Sequence, residues 1–593
     1  MKKFSIVLFL IFCFAFVFSG CEKGGDVSDN NTGYDNKPIA KVDNWNEDYQ
    51  NKGEYSYSNK ANSVPQYSAG MNVKPEMMKS FSAADSANIG FSVGGAKDIN
   101  NFRENIKNDY LPLLTDVTYE GVFYDYYFDR GQNKKCEKLF CPSYNMAFSK
   151  DPFSRNDEYF LAVGLNSNIK ESDFKRKKLN LMIVMDISGS MGSPFDSYYY
   201  DRFGKEIKLD DKEVSNKKKI EIAAKSVANL LDQLDKDDNF GIVLFDDQAY
   251  LAKPFSKVEE TDMNAIKGHI LELVEQGGTN MSAGMNFGTD QFKELKEVNQ
   301  DEYENRIIFL TDAMPNFGET GEFGLLGMTK DNANNKIYST FMGMGVDFNT
   351  ELIEIISKIK GANYYSVHSE KQFAETLDEG FDYMVTPLVF DLNLKMESSG
   401  YEILKVYGSS EASEATGEIM KINTLFPSKT EGGETKGGIV ILHLKKNGED
   451  GKIKLTVSYE DRNGKKDSSS EEIDFKSLEN NSYDNKGIRK GILLSRYVNL
   501  LHAWILEERK QVVYDDYKPM PCPVYKCGII IPEELPPLSM LGKWERQSVP
   551  LTVSSEYKQN FSEFKKYLES EMEVIKDDSL KREVEILDLL VGE

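Results

Sequence analysis

The fold is decided by the stretch Leu179–Gly192, which reads LNLMIVMDISGSMG. Its apolar run, residues 181–185, is too short for a free-standing helix and is typical of a strand buried on both faces of a parallel sheet. The run ends at Asp186, and the hydroxyls of Ser188 and Ser190 follow in a turn of small residues. Ligands of open α/β sheets bind beyond the carboxyl ends of the strands, and hard divalent cations prefer oxygen ligands. This turn therefore predicts a metal site.

The segments that follow alternate between short apolar runs and amphipathic helices. Buried strands are predicted at residues 240–245, 306–310, 337–344 and 363–367, an edge strand at 249–252, and helices at 218–234 and 262–274. This alternation predicts an α/β fold, a doubly wound, Rossmann-like domain over residues 179–385 with helices on both faces of a parallel sheet.

Two further polar residues lie where this sheet would bring its loops together. Thr279 is in the glycine-flanked loop QGGTNMSAGM, which leads into a helix. Asp312 comes two residues after the end of the strand RIIFL, with Thr311 between them. Both loops belong to the carboxyl edge of the proposed sheet, as does the turn after Asp186. The three loops can therefore form one ligand sphere.

Together these residues resemble the metal-ion-dependent adhesion site of von Willebrand factor type A domains. The family pattern is Asp-x-Ser-x-Ser, then a Thr and then an Asp, and it is matched by Asp186, Ser188, Ser190, Thr279 and Asp312. The resemblance covers residues 179–385 and implies that the three hydroxyls contact the metal, while the two carboxylates act directly or through water. It implies Mg²⁺ as the ion, with Mn²⁺ or Ca²⁺ as alternatives. The sequence departs from the pattern at Ala313, where the family usually has Gly, and this change removes no ligand.

Such a donor set favours binding over catalysis. Neutral hydroxyls and few directly bound carboxylates leave a divalent cation undercompensated, so the cation attracts an acidic oxygen from a partner. The expected function is therefore binding of a protein ligand that presents an acidic residue. The alternative is a structural or vestigial site that recruits no partner carboxylate.

The first residues have the pattern of an export signal. Two lysines precede an apolar run over residues 4–18, which is short for a membrane span, and a Ser-Gly pair precedes Cys21. This boundary resembles the lipobox of bacterial lipoproteins, which implies a signal peptide over residues 1–20 and a lipidated Cys21. The protein would then be extracytoplasmic and lipid-anchored to a bacterial membrane, at the cell surface or on the periplasmic face. An ordinary signal peptide with an incidental cysteine is the alternative.

The regions before the central domain differ in composition. Residues 21–88 are rich in Asn, Gly, Ser, Asp and Lys, and they carry too little apolar surface to fold, which predicts a flexible tether. Residues 89–178 predict a flanking region of β-rich or α+β type. Within it, a helix is expected at 101–110, a β-like aromatic segment at 121–129 and a half-exposed strand at 158–166.

After the central domain, the spacing of the apolar residues along the sequence changes. Residues 386–478 alternate apolar and polar side chains, with a hairpin signal at Asn463-Gly464, and predict an antiparallel β-sandwich. Residues 479–593 carry apolar side chains at helical spacing and predict a C-terminal helical region that includes a cysteine pair.

The flanks also resemble parts of bacterial lipoproteins built around a type A domain. The segments concerned are SVGGAKDINNFRENI, YEGVFYDYYFD and LFPSKTEGGETKGGIVILHL. In such proteins, and more loosely in inter-alpha-trypsin inhibitor heavy chains, β-rich structure flanks the central domain. We therefore expect strand 158–166 to pair with the sandwich of residues 386–478, so that the α/β domain is an insertion.

Beyond Cys13 and Cys21, the cysteines form two C-x4-C pairs, Cys136 with Cys141 and Cys522 with Cys527. In an exported protein an even set predicts two disulfides, and the sequence leaves three connectivities open. A zinc site with four cysteine ligands is the alternative, although C-x4-C is an unusual spacing for zinc.

A charged, tyrosine-rich insert follows the metal loop and includes Tyr198-Tyr199-Tyr200. Tyrosine is a favoured interface residue, so the insert could frame a ligand surface. A variable surface excursion is the equal alternative.

Charge and motif content exclude several function classes. The net charge of -24 argues against nucleic acid as a partner and against electrostatic binding to an anionic membrane surface. The sequence contains no G-x-S-x-G, Walker A or H-E-x-x-H motif, so a metal-dependent hydrolase is the least favoured function. The remaining alternative to a surface binding protein is a non-adhesive scaffold or assembly factor for a cell-envelope complex.

Overall fold

The computed structural model describes residues 41–50, 89–96, 98–131, 136–170, 173–201, 206–207, 218–295, 301–316, 318–447, 451–474, 482–517 and 548–592. The strands are β1 (Gly90–Val93), β2 (Gly95–Ala96), β3 (Tyr127–Phe128), β4 (Phe140–Lys150), β5 (Asp157–Ser167), β6 (Lys178–Asp186), β7 (Asn239–Phe245), β8 (Ala249–Lys257), β9 (Tyr303–Thr311), β10 (Ile337–Met344), β11 (Asn363–Val367), β12 (Val389–Ser399), β13 (Tyr401–Tyr407), β14 (Glu418–Ser428), β15 (Thr430–Glu431), β16 (Glu434–Lys436), β17 (Ile439–Lys446), β18 (Lys452–Asp461), β19 (Lys466–Asp474) and β20 (Ser482–Tyr483). The helices are α1 (Asn100–Lys107), α2 (Tyr119–Tyr124), α3 (Lys219–Leu230), α4 (Met263–Leu271), α5 (Met281–Gln291), α6 (Glu322–Asn334), α7 (Thr350–Ser357), α8 (Glu370–Val385), α9 (Lys486–Tyr517), α10 (Ser555–Ile575) and α11 (Lys581–Val591).

Strand β6 lies inside a seven-stranded sheet of order β2-β11-β10-β9-β6-β7-β8. Its pairings with β7 and β9 are parallel, and only the edge strand β8 runs antiparallel to its neighbour. Side chains of β6 alternate between two hydrophobic cores: Leu181 and Ile183 join one, and Met182 and Val184 join the other. Each core is closed by helices, so the strand is buried on both faces. The predicted α/β doubly wound fold is confirmed.

Two antiparallel sheets form the predicted sandwich. Their strand orders are β1-β14-β12-β18-β19 and β13-β17-β5-β4-β20. Strand β5 precedes the α/β domain and pairs antiparallel with β17, which follows it, with Leu161 opposite Leu442. The expected pairing of strand 158–166 with the C-terminal sandwich is confirmed. The α/β domain is therefore inserted between the two halves of a sandwich to which both flanks contribute strands.

The C-terminal helices α9, α10 and α11 share one core with α1 and α2 of the N-terminal flank. The side chain of Trp504 is fully buried there, packs edge-on against Phe561 at 5.6 Å, and donates its indole N–H to the carbonyl of Thr552 at 3.1 Å. Helices cover most of what the structure describes in residues 479–593, and the short strand β20 at Ser482–Tyr483 departs from the helical prediction.

The predicted β-like segment 121–129 is wrong in its first half. Residues Tyr119–Tyr124 form helix α2, and only Tyr127–Phe128 form a strand. Thr118 caps the helix, because its hydroxyl accepts the N–H of Gly121 at 3.0 Å. Phe123 is buried in the helical core, so tertiary packing overrides the strand preference of aromatic residues.

Residues 41–50 depart from the predicted tether, because they dock on the α/β domain. The ring of Trp45 stacks on His269 of α4 at 5.4 Å, and Tyr49 is buried in the core beneath α4. These two aromatic side chains supply the apolar area that the surrounding polar sequence lacks. Residues 1–40 and 51–88, which include the predicted signal peptide, Cys21 and the rest of the tether, lie outside the described residues.

The amino edge of the central sheet rests on the sandwich. The backbone N–H of Gly361 donates to the hydroxyl of Thr424 at 2.5 Å, and the ammonium of Lys360 pairs with Glu460 at 3.0 Å. The guanidinium of Arg306 is fully buried at this junction, 5.8 Å from the ring centre of Phe426. These contacts leave the carboxyl edge of the sheet on the side away from the sandwich.

We expect Leu161→Ala to lower the free energy of unfolding by about 2–5 kcal/mol, because it opens a cavity in the strand that joins the two halves of the sandwich. Leu404→Ala is the matched control: Leu404 lies in the same sheet, its side chain is 48% exposed, and the change should stay within about 0.5 kcal/mol. Urea denaturation followed by circular dichroism measures both. Equal losses in the two variants would contradict the assigned role of β5.

Candidate metal centre

Three loops meet at the carboxyl edge of the seven-stranded sheet. The first follows β6 and carries Asp186, Ser188 and Ser190; the second precedes α5 and carries Thr279; the third follows β9 and carries Asp312. All five side chains are buried. The structure thus places every predicted metal ligand at one edge, as expected from the strand pattern.

Backbone hydrogen bonds tie these loops to one another. The N–H of Gly189 donates to the carbonyl of Gly277 at 3.0 Å, which joins the first and second loops. The N–H of Asn316 donates to the carbonyl of Thr279 at 3.0 Å, and the N–H of Thr279 donates to the side-chain oxygen of Asn316 at 2.8 Å. The five predicted residues are therefore held together by the fold itself.

Asp186 is fixed through both of its carboxylate oxygens. Oδ1 accepts the N–H of Ser188 at 2.8 Å, and Oδ2 accepts the hydroxyl of Thr311 at 2.6 Å. Burial, together with the nearby charge of Asp312, raises the pKa of Asp186 to about 7. The fold therefore concentrates negative charge here that a cation would stabilise.

The two serine hydroxyls lie side by side. Ser188 Oγ and Ser190 Oγ are 3.2 Å apart, on a short 3-10 turn over Gly189–Gly192. The carbonyl of Ser190 accepts the hydroxyl of Ser193 at 2.8 Å, which closes the turn. Two neutral oxygen donors are thus presented next to the carboxylate of Asp186.

Asp312 has one engaged and one orphaned oxygen. Oδ2 accepts from the ammonium of Lys219 at 3.1 Å, whereas Oδ1 is buried and has no hydrogen-bond partner among the described residues. A buried acceptor without a partner costs free energy, so the donor set fits a bound cation. Across the described residues, no group of three or more His, Cys, Asp or Glu side chains is placed to hold a metal, so a site here depends on the hydroxyls.

Ala313 adopts the backbone conformation that glycine favours. Its φ is +57°, in the left-handed region, and its N–H donates to the hydroxyl of Thr311 at 2.9 Å. An alanine in this region costs about 1–2 kcal/mol relative to the right-handed conformation. The departure from the family pattern therefore leaves the turn in place, at a cost in backbone strain.

The tyrosine insert divides into buried and half-buried parts. Tyr198 is buried: its hydroxyl donates to the side-chain oxygen of Asn105 at 3.0 Å, and its ring packs on Tyr110 at 4.6 Å. Tyr199 is half-buried, donates its N–H to Asp347 at 3.0 Å, and places its phenol oxygen 3.9 Å from the position a Cβ on Gly189 would occupy. Tyr198 is therefore structural, and Tyr199 lies over the metal loop.

The sequence pattern missed the side chains that support the predicted ligands, namely Lys219, Thr311, Asn316 and Asp347. Thr311 could have been found, because it stands between the buried strand and Asp312. Lys219 is one of three consecutive lysines, and nothing in the sequence distinguishes it from its neighbours. Only the fold shows which lysine turns inward.

One predicted cysteine pair is joined in the structure. Cys136 and Cys141 form a disulfide with Cα atoms 5.7 Å apart. For this pair the local connectivity holds, and its sulfur atoms are not available to zinc as thiolates. Cys522 and Cys527 lie outside the described residues.

Residues 181–315 match the sequence model of the von Willebrand factor type A domain, a span that includes all five predicted ligands. The chain contains a von Willebrand factor type A domain. The seven-stranded sheet, the helices that cover it and the three loops at its carboxyl edge agree with this assignment.

Several curated proteins are similar to part of this chain. Bovine inter-alpha-trypsin inhibitor heavy chain H4 is 24% identical over 191 residues, 31% of this chain and 20% of the bovine protein. An uncharacterized protein of Synechocystis sp. is 22% identical over 224 residues, 38% of this chain and 46% of that protein. The similarity therefore spans less than half the length of these relatives.

Among solved structures, a von Willebrand factor type A protein from Catenulispora acidiphila is 14% identical. The alignment covers 58% of this chain and 75% of that one, with a TM-score of 0.33, and the domain assignment does not depend on it. Along the described parts of the chain, no helix is both long enough and apolar enough to cross a bilayer.

We expect Mg²⁺ to raise the melting temperature of the wild-type protein and Asp186→Ala to abolish this rise. A ligand at about 100 times its Kd stabilises a folded protein by about 2.7 kcal/mol, and removal of the central carboxylate removes that term. Asp232→Ala is the control, since the Asp232 side chain is 62% exposed and pairs only with Lys267. Thermal unfolding with and without Mg²⁺ measures the shift, and an Asp186→Ala variant that responds like the wild type would refute the metal assignment.

His368 follows β11 at the same edge, and it should make the domain sensitive to acid. Both ring nitrogens are buried without a hydrogen-bond partner in the described structure, and burial lowers the pKa of His368 to about 3. The neutral ring therefore contributes stability above pH 6.5, and this contribution is lost as the pH falls towards 3. Between pH 7.5 and pH 5, the free energy of unfolding should fall by about 1–2 kcal/mol less in His368→Leu than in the wild type. Parallel pH profiles in urea denaturation would contradict this.

Proposed function

We propose that this protein binds a divalent cation at Asp186, Ser188, Ser190, Thr279 and Asp312, and through it an acidic residue of a protein partner. The observation that carries the proposal is the convergence of buried hydroxyls and carboxylates at one sheet edge, where Asp312 Oδ1 has no hydrogen-bond partner among the residues the structure describes. Mg²⁺ is the proposed ion, with Mn²⁺ or Ca²⁺ as alternatives.

Each group in the centre has a distinct task in this proposal. The bound cation supplies the positive charge that attracts a partner carboxylate. Thr311 and the N–H of Ser188 hold the carboxylate of Asp186 in one orientation. The serine hydroxyls contribute donor oxygens without charge, so they leave the cation able to attract an acidic oxygen. Asn316 fixes the loop that carries Thr279.

The same arrangement supports binding rather than chemistry. Both oxygens of Asp186 accept hydrogen bonds, which disfavours a role for it as a general base on a substrate. Asp312 pairs with Lys219 through Oδ2, and in this proposal its Oδ1 faces the cation. The proposed role is therefore to hold a partner.

The proposed location is the outer side of a bacterial membrane, with Cys21 carrying the lipid. The lipobox-like boundary at the end of the apolar run supports this placement. The protein would then present its type A domain to partners outside the cytoplasm, on the cell surface or in the periplasm.

Partner capture on intact cells tests the proposal. The full-length wild type, Asp186→Ala and the Asp232→Ala control are crosslinked in Mg²⁺ or in EDTA, and captured proteins are identified by mass spectrometry. We expect a specific partner with the wild type and the control in Mg²⁺, and its loss with EDTA or Asp186→Ala.

The identity of the captured protein separates the two classes of function. Host or matrix proteins support adhesion, and proteins of the same envelope support a scaffold. Capture that is equal in Mg²⁺ and EDTA, and equal for the wild type and Asp186→Ala, would refute a metal-dependent role.

A further inference from the structure

A lysine is buried inside the candidate metal centre. Lys219 is the first residue of α3, and its side chain has no exposed surface. Its ammonium lies 3.1 Å from Asp312 Oδ2 and 2.6 Å from a carboxylate oxygen of Asp347. Lysine is almost never fully buried unless it is paired, and here one of its two partners is a proposed metal ligand.

The fold holds this lysine in place from several sides. The N–H of Lys219 donates to the carbonyl of Ser193 at 3.0 Å, which anchors the start of α3 to the metal loop. The side chain passes Gly345, where φ is +84° and an added Cβ would lie 2.8 Å from Lys219 Cε. Asp347 is itself held by the N–H of Tyr199 at 3.0 Å. The ammonium is thus built into the centre and is not a surface group that has folded inward.

The charges of the centre can be balanced from these contacts. When all three are ionised, the form that a nearby cation favours, the buried carboxylates of Asp186, Asp312 and Asp347 stand against one ammonium, that of Lys219, which leaves two negative charges. A divalent cation brings that set to neutrality. Without the lysine the same cation would face three negative charges, and its attraction to the centre would be stronger.

We propose that Lys219 is a resident counter-charge that sets the metal affinity of this centre. The inference rests on the proposed metal binding and adds a residue that tunes it. By neutralising part of Asp312, Lys219 weakens the hold of the protein on the cation. It also lowers the negative charge that an acidic partner meets at the loaded centre. Metal and partner then bind cooperatively, because each supplies charge that the other needs.

The test is metal affinity, measured by isothermal titration of MgCl₂ and of MnCl₂ into the full-length chain. We expect Lys219→Met to bind both cations about tenfold or more tightly than the wild type, since one nearby positive charge is removed at similar side-chain volume. Lys225→Met is the matched control, because Lys225 lies on the same helix, is 49% exposed and pairs with Glu370. Its affinity should equal that of the wild type.

Asp347→Asn should change the metal affinity in the opposite direction, and it replaces Lys219→Met as the test if that variant does not fold. In this variant the ammonium has only Asp312 to neutralise, so we expect affinity to fall by about tenfold. A residue with a merely structural role would lower the affinity in both variants, whereas a counter-charge moves it up in one and down in the other.

The outcomes are distinguishable from failure of the proposed function. A wild-type chain that binds neither cation refutes the metal centre itself. A wild type that binds, together with a folded Lys219→Met whose affinity is unchanged or weaker, overturns only the role of Lys219. Unchanged or tighter binding by Asp347→Asn overturns it as well.

Discussion

The antiparallel pairing of β5 with β17 is the interaction on which the rest of the arrangement depends. Strand β5 ends before the type A domain begins, and β17 lies after the domain has ended, so the pairing from Tyr159 opposite Leu444 to Gly164 opposite Ile439 brings the flanks together. Both connections to the inserted domain therefore start from one sandwich, which limits the positions the domain can take. Contacts such as that of Gly361 with Thr424 then fix the amino edge of the domain, and the carboxyl edge with the candidate metal centre faces away from the sandwich as a consequence.

The candidate metal centre shows how a buried site can be acidic and still compatible with folding. Isolated buried carboxylates are costly, and the cost is reduced here by hydrogen bonds to Asp186 and by one ammonium between Asp312 and Asp347. The remaining cost is concentrated where a cation would bind. Neutral hydroxyls from Ser188 and its neighbours add donors without adding to this repulsion.

Much of the fold could be predicted from the sequence, because strands such as β6 are continuous apolar runs and their length excludes helices. The five predicted ligands could be selected because each follows a recognisable strand or glycine turn. Supporting residues could not: Lys219 is identical in type to its neighbours, and its inward orientation depends on space left by Gly345, far along the chain. Residues 121–124 were mispredicted for a related reason, since their burial against α9 is a long-range effect. Binding itself, and lipidation of Cys21, remain predictions.

The docked segment 41–50 runs along the α/β domain from the end of β8 to the loop before α5. The N–H of Val42 donates to the carbonyl of Glu260 at 2.9 Å, beyond the end of β8. The carbonyl of Tyr49 accepts the side-chain N–H of Gln276 at 3.0 Å, next to the glycine loop that carries Thr279. A pulling force applied to this segment from its amino side would therefore load the contacts of Val42 first, and the loop of the candidate metal centre only after them.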